Sequence, residues 1–304
     1  MILPILVGLG LVVTSGLAAA QPVYRTGVEL VHFGVTVVDR RGTPVSGLTV
    51  DDFEVVERGT PQPVWYFAQG DADDARPLHL GLLFDCSGSM TEDLSFSRSA
   101  AIKFLNTQER AEDITLVDFD TEVRAARFGP RDFPRLVERL RSRKPDGWTA
   151  LYDALGVYLD GSQDQTGQKV LVIYTDGGDT SSTMSFAEAL SLIKASDVTV
   201  YAVGFLEHQP SSSRMEQRLR LQQLAESTGG QAIFPMSIKQ LDEAYDKIFQ
   251  ELNARYTLGY VSTDRRADGA WREVEVRLTR PELKGAKVRT RRGYFAPYRP
   301  GSQP

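Results

Sequence analysis

Apolar and polar positions alternate early in the chain. Val31, Phe33, Val35 and Val37 are separated by His32, Gly34 and Thr36, the period-two pattern of a half-buried strand. Val28 and Leu30 alternate in the opposite phase, which predicts a bulge near Val31. Asp39-Arg40-Arg41-Gly42 reads as a turn, and residues 53–56 and 64–67 as further strands. Three short strands do not make a stable domain, so this segment needs a partner.

After a polar linker at residues 70–76 the period changes. Strands at 79–85, 114–120, 123–128, 169–175 and 198–204 alternate with helical stripes. Two of these stripes are Phe96, Ala100, Ala101, Phe104 and Leu105, then Leu151, Ala154, Leu155, Tyr158 and Leu159. Only Thr121-Glu122 separates the second strand from the third, which demands a tight antiparallel hairpin. The run KVLVIYT at 169–175 is nearly continuously apolar, as a strand covered on both faces should be. Helices are expected over 185–196 and 214–228, the second stopped by Gly229-Gly230, with a short strand at 231–234. The cleanest amphipathic helix carries Leu241, Ala244, Tyr245, Ile248, Phe249 and Leu252. This alternation predicts an α/β, doubly wound, mostly parallel sheet with helices on both faces over 77–254. Residues 256–262, 274–278 and 287–294 return to strands. The flanks 21–76 and 255–304 are therefore predicted to pair into one small β-sandwich-like domain, with the α/β domain inserted between them.

Composition narrows the picture. The chain has 304 residues, 41% hydrophobic and 25% charged, which excludes intrinsic disorder for most of it. Its 35 Lys and Arg against 40 Asp and Glu give a net charge of −5. A strongly basic field is excluded, and with it the simplest case for nucleic-acid binding. One cysteine excludes a disulfide framework and a multi-cysteine zinc site. The isolated His32, His79 and His208 argue against a histidine-rich metal site. Residues 2–13 are apolar and small residues follow up to Ala18-Ala19-Ala20, the pattern of a signal peptide cut after Ala20. No Lys or Arg precedes the apolar run, a departure from that pattern. The apolar run is shorter than the ~20 residues that span a bilayer. The expected location is periplasmic or secreted, without a stable membrane span after cleavage.

Candidate chemistry gathers where strands end, as ligands do in open α/β sheets. Asp85, Ser87 and Ser89 place one carboxylate and two hydroxyls at alternating positions. Thr149, in Asp-Gly-Trp-Thr, and Asp176, in Thr-Asp-Gly, add two further oxygen donors. Hard oxygens suit Mg2+, or Mn2+ or Ca2+, better than zinc. Two carboxylates about 4 Å apart repel by about 4 kcal/mol at an effective dielectric of ~20, and a divalent cation reverses that sign. Taken alone, the Asp-x-Ser-x-Ser run could equally cap a helix, and Asp179 rivals Asp176. Cys86 and Met90 are expected in the core, and Trp148 to pack rather than to shape a ligand face. Arg289, Arg291 and Arg292 read as a solvated basic face, and His208 as part of a mobile loop.

With Asp85, Ser87, Ser89, Thr149 and Asp176 in this order, residues 78–252 resemble the von Willebrand factor type A domain and its metal-ion-dependent adhesion site. The flanks are similar to the von Willebrand A-related proteins of acidobacteria. The resemblance implies a sheet with one antiparallel edge strand, which the hairpin at Thr121-Glu122 fits. It implies direct metal coordination by Ser87 and Ser89. Asp85 and Asp176 would act partly through water, and Thr149 would join or leave with conformation. A partner protein would supply an acidic group to the open metal position. The expectation is an exported, non-catalytic adhesion-type module. A serine nucleophile would need a nearby histidine, and an aspartate nucleophile of the phosphoryl-transfer kind would have a carboxylate where Ser87 stands. The alternatives are a structural envelope protein whose metal site only stabilises the fold, and a metal-dependent hydrolase.

Overall fold

The computed structural model describes residues 30–70, 77–108 and 110–298. The expected signal segment 1–20, Val28 and most of the expected linker lie outside the described residues. The N-terminal flank forms β1 (Val31–Val38), β2 (Phe53–Glu57), β3 (Thr60–Gln62) and β4 (Val64–Gln69). The central region then runs β5 (Leu78–Asp85), α1 (Leu94–Asn106), β6 (Ala111–Phe119), β7 (Val123–Phe128), α2 (Phe133–Ser142) and α3 (Leu151–Gly161). It continues through β8 (Gln168–Thr175), α4 (Phe186–Ala195), β9 (Thr199–Gly204), α5 (Ser211–Glu226), β10 (Ala232–Ile233) and α6 (Ile238–Asn253). The C-terminal flank supplies β11 (Tyr256–Tyr260), β12 (Trp271–Leu278), β13 (Lys287–Arg289) and β14 (Gly293–Phe295).

The central sheet has the order β10-β9-β8-β5-β6-β7. Every pair is parallel except β6–β7, whose hairpin closes at Phe119↔Val123. This is the doubly wound sheet with one antiparallel edge that the sequence predicts. Strand alternation sorts the core into two layers. Leu80, Leu82 and Phe84 of β5 face Phe104, Leu136, Tyr245 and Ile248 on one side. Leu83 faces Leu155, Tyr158, Ile193 and Leu224 on the other. The chain winds outward from β5 in both directions, so the switch point lies between β5 and β8.

The flanks interleave in two antiparallel sheets, β13-β1-β11-β4 and β14-β12-β2-β3, and each sheet mixes strands from both ends of the chain. Phe33, Val35, Phe53, Val55, Tyr256, Leu258 and Val274 share one core between them. Glu57, buried between the sheets, accepts from the Tyr260 hydroxyl at 2.7 Å and the Tyr294 hydroxyl at 2.9 Å. Arg272 lies 3.6 Å from the same carboxylate, so the pair is buried with its polar atoms shared.

Three local expectations change. The predicted single strand at 287–294 is two strands. Residues 290–292 carry the chain from the β1 sheet to the β12 sheet, and the Arg291 guanidinium anchors the crossing by donating to the His32 carbonyl at 2.7 Å. The expected bulge near Val31 is absent from the described part of β1, whose register with β11 is regular from Val31 to Val35. The irregularity sits instead between Gly259 and Tyr260, where β11 meets β4. The helix α2 is an addition: it buries only Leu136 and Leu140, too sparse an apolar stripe to stand out.

Candidate functional site

Three loops meet at the switch point. The first follows β5, the second links α2 to α3, and the third follows β8. Backbone hydrogen bonds hold them together. The Gly88 N–H donates to the Gly147 carbonyl at 3.0 Å, and the Asp146 N–H to the Cys86 carbonyl at 2.9 Å. The Thr149 carbonyl accepts from the Thr180 and Ser181 N–H groups at 2.9 and 3.0 Å. Gly147 has φ +69, and an added Cβ would strike Thr121, so only glycine fits the second loop there.

Asp85 ends β5 and is fully buried. Its Oδ1 accepts from the Ser87 hydroxyl at 2.6 Å and the Ser87 N–H at 2.9 Å, and its Oδ2 from the Thr175 hydroxyl at 2.6 Å. Ser87 thus directs its proton at Asp85 and its lone pairs away, toward the exposed Ser89 hydroxyl 3.0 Å off. Asp176 is also buried; its Oδ1 accepts from the Gly178 N–H at 2.9 Å and its Oδ2 from the Gln209 side-chain amide at 2.8 Å. Burial, and then the charge of Asp176, pushes the Asp85 carboxyl up to about 7, against the hydrogen bonds from Ser87 and Thr175. The structure therefore joins Asp85, Ser87 and Ser89 directly, couples Asp176 to them through its charge, and brings Thr149 to the same edge through its backbone.

Asp179 is taken by another task. Its Oδ2 accepts from the Tyr152 N–H at 3.0 Å and the Ser182 hydroxyl at 2.6 Å, closing the first turn of α3. Cys86 and Met90 are buried, and burial pushes the Cys86 thiol up to about 12. Trp148 departs from expectation: it is 67% exposed beside Thr149 and stands at the rim. His208 is not loose either, since its ring nitrogens lie 3.0 Å from Asp93 and 3.1 Å from Glu92. The other two histidines are remote: His79 opens β5, at the opposite end from Asp85, and His32 is in β1.

Two contributors escape the motif. Gln209 orients Asp176, and nothing in its sequence neighbourhood marks it. Asp118, buried in β6, binds Arg124, Arg139 and Arg143 at 3.0, 2.6 and 2.6 Å and so fixes the start of the Thr149 loop. A carboxylate inside the apolar run ITLVDF was its visible signal.

Among the described residues no group of three or more His, Cys, Asp or Glu side chains is placed to hold a metal. A cation here would depend on serine and threonine hydroxyls beside two carboxylates. That donor set fits a hard divalent ion, and no described Lys, Arg or His forms an ion pair with Asp85 or Asp176 to neutralise them instead.

Residues 79–247 match the profile of the von Willebrand factor type A domain. A search of curated proteins gives no match. Among solved structures, the chain is similar to the von Willebrand domain of the type V pilus tip protein Mfa5 of Porphyromonas gingivalis. The identity there is 12% and the TM-score 0.47, over 57% of this chain and 95% of that one. A von Willebrand factor type A protein of Catenulispora acidiphila matches with 12% identity and TM-score 0.47, over 84% of this chain and 76% of that one. An aerotolerance-related membrane protein of Bacteroides fragilis matches with 18% identity and TM-score 0.47, over 58% and 98%.

Proposed function

The chain belongs to the von Willebrand factor type A domain family, whose members are generally non-catalytic protein-interaction modules, and from that premise we propose that it binds a partner protein through a divalent cation. Ser87 and Ser89 would hold the ion directly, with Asp85, Asp176 and Thr149 around it. When bound, the ion supplies a positive, open position for an acidic group of the partner. The observation that carries this reading is the pair of buried carboxylates, Asp85 held by two hydroxyls and Asp176 by an amide and a backbone N–H, with no cationic side chain paired to either. The engagement of His208 by Asp93 and Glu92 rather than by Ser87 supports a non-catalytic role over a serine nucleophile.

Each side chain has a separate task. Asp85 orients the Ser87 hydroxyl, Gln209 orients Asp176, and the loop bonds hold the Thr149 backbone at the same edge of the sheet. Trp148 at the rim offers apolar area to a protein surface. We place the protein outside the cytoplasm on the signal-like start, and take the similarity of the flanks to acidobacterial relatives as covering the whole mature chain. Among the described residues no helix is long and apolar enough to cross a membrane.

Titration calorimetry with Mg2+ tests the site. The wild type is expected to bind, and Asp85→Ala to lose at least tenfold in affinity while its melting temperature stays close to that of the wild type. Unchanged affinity in the variant overturns the assignment. Loss of folding would instead give the loop a structural role.

A further inference from the structure

A second feature lies far from the metal edge. Where the sandwich meets the α/β domain, a groove of about 690 Å3 opens between the Gly229–Ala232 turn and the strands β12 and β13. Seven basic and four acidic side chains line it, in a chain that carries more acids than bases overall.

The pairing inside the groove is uneven. Glu251 is taken by Arg289 at 2.6 Å, and Glu275 by Arg277 at 2.6 Å. Asp39 accepts from the N–H groups of Arg41 and Thr43, both at 2.8 Å. Arg291 is spent on the wall, donating to the His32 and Ser196 carbonyls at 2.7 and 3.2 Å. Arg40 donates to the Lys284 carbonyl at 2.9 Å. Arg41 lies in the field of the Asp39 carboxylate, whereas among the described residues Arg40, Lys247, Lys287 and Arg292 form no ion pair, and Glu226 is the lining acid left to oppose them.

Backbone is also on offer. β13 is an edge strand, paired with β1 alone. β14 covers β12 along Trp271–Glu273 and the Val274 N–H donates to the Arg292 carbonyl at 2.9 Å, so residues 275–278 of β12 pair on one side, with β2. Two open strand stretches and four uncompensated cations therefore share one groove. Unpaired strand edges accept an extended chain through main-chain hydrogen bonds, and the surrounding charge selects its side chains.

We propose that this groove binds an extended, acidic peptide segment of a partner protein, independently of the metal site. A sugar polyanion would use the cations and leave the strand edges unpaired.

The test uses the full chain, with EDTA present so that the metal site cannot capture carboxylates. Fluorescence anisotropy would follow a labelled ten-residue glutamate peptide. Binding is expected at low salt and should weaken as salt screens it. The exposed pair Arg41→Glu with Lys287→Glu should weaken binding at least tenfold, and Arg292→Glu alone by a smaller factor. Lys194→Glu, on the outer face of α4, should change nothing. A backbone N-methylated peptide has the same charge but cannot pair with a strand, and should bind at least fivefold more weakly. Equal binding by the double variant, or by the N-methylated peptide, overturns the proposal. So does tight binding of dextran sulfate by a protein that ignores the peptide.

Discussion

Opposing demands meet on the carboxylate of Asp85. Burial and the neighbouring Asp176 disfavour its charge, while Ser87 and Thr175 hydrogen-bond to it and favour it. Side chains of this kind were legible in the sequence because hydroxyl and carboxylate positions alternate at a strand end. Gln209 is not legible there, because it reaches Asp176 only through the fold, and Asp118 shows as a carboxylate in an apolar run while its three arginine partners do not. His208 shows the same limit, and it yields a pH prediction. The hydrogen bond that the ring donates to Asp93 comes first in raising its pKa above 6.5, followed by the charge of Asp93 and then of Glu92 and Glu207. A raised histidine contributes its full tethering below its unfolded value of about 6.5, and the contribution fades as pH climbs through the folded value. An NMR titration of the His208 ring should give a midpoint above 6.5, and Asp93→Asn should return it toward that value. A midpoint insensitive to Asp93→Asn would show that the tether seen between the loops is not what sets the charge.

Helices and strands differ in how plainly the sequence shows them, for physical reasons. The buried parallel strands announce themselves because both of their faces are apolar. α2 did not, since two buried leucines leave most of its surface polar. The segment 287–294 looked continuous because alternation records which face a residue uses, and not which sheet it belongs to. The start of α3 is a further case. Ala150 occupies its N-cap position without a side-chain bond, and Asp179 reaches across from the next loop to accept the Tyr152 N–H. A local motif search cannot find a cap supplied from 27 residues away. Asp179→Ala should therefore destabilise the protein by about 1 kcal/mol, the usual worth of such a cap. Urea unfolding would measure it. A cost near zero would mean that Ser182, which donates nothing to α3 but accepts from the Tyr152 and Asp153 N–H groups, satisfies the helix end by itself.

On the scale of the whole molecule, each sandwich sheet has a C-terminal strand in its interior: β11 lies between β1 and β4, and β12 between β14 and β2. Deleting residues 255–304 should leave the N-terminal flank without a core and open it to limited proteolysis. Protection of residues 28–68 in that truncation would show that the two flanks do not depend on each other. The same interleaving orders events in time. β4 pairs with β11 through Gln69↔Tyr256, a contact that spans almost 190 residues. At about 5–20 residues per second of synthesis, β1 to β4 would wait roughly ten to forty seconds for their partner. Closing so long a loop in an unfolded chain costs about 4–5 kcal/mol of entropy. Folding of the inserted domain before the sandwich would remove that cost, because its two ends lie side by side, where the Gly70 N–H meets the Arg255 carbonyl at 2.9 Å. The sandwich is then the last part of the molecule to form. During that wait its early strands have unpaired edges and are exposed to capture by chaperones or by one another.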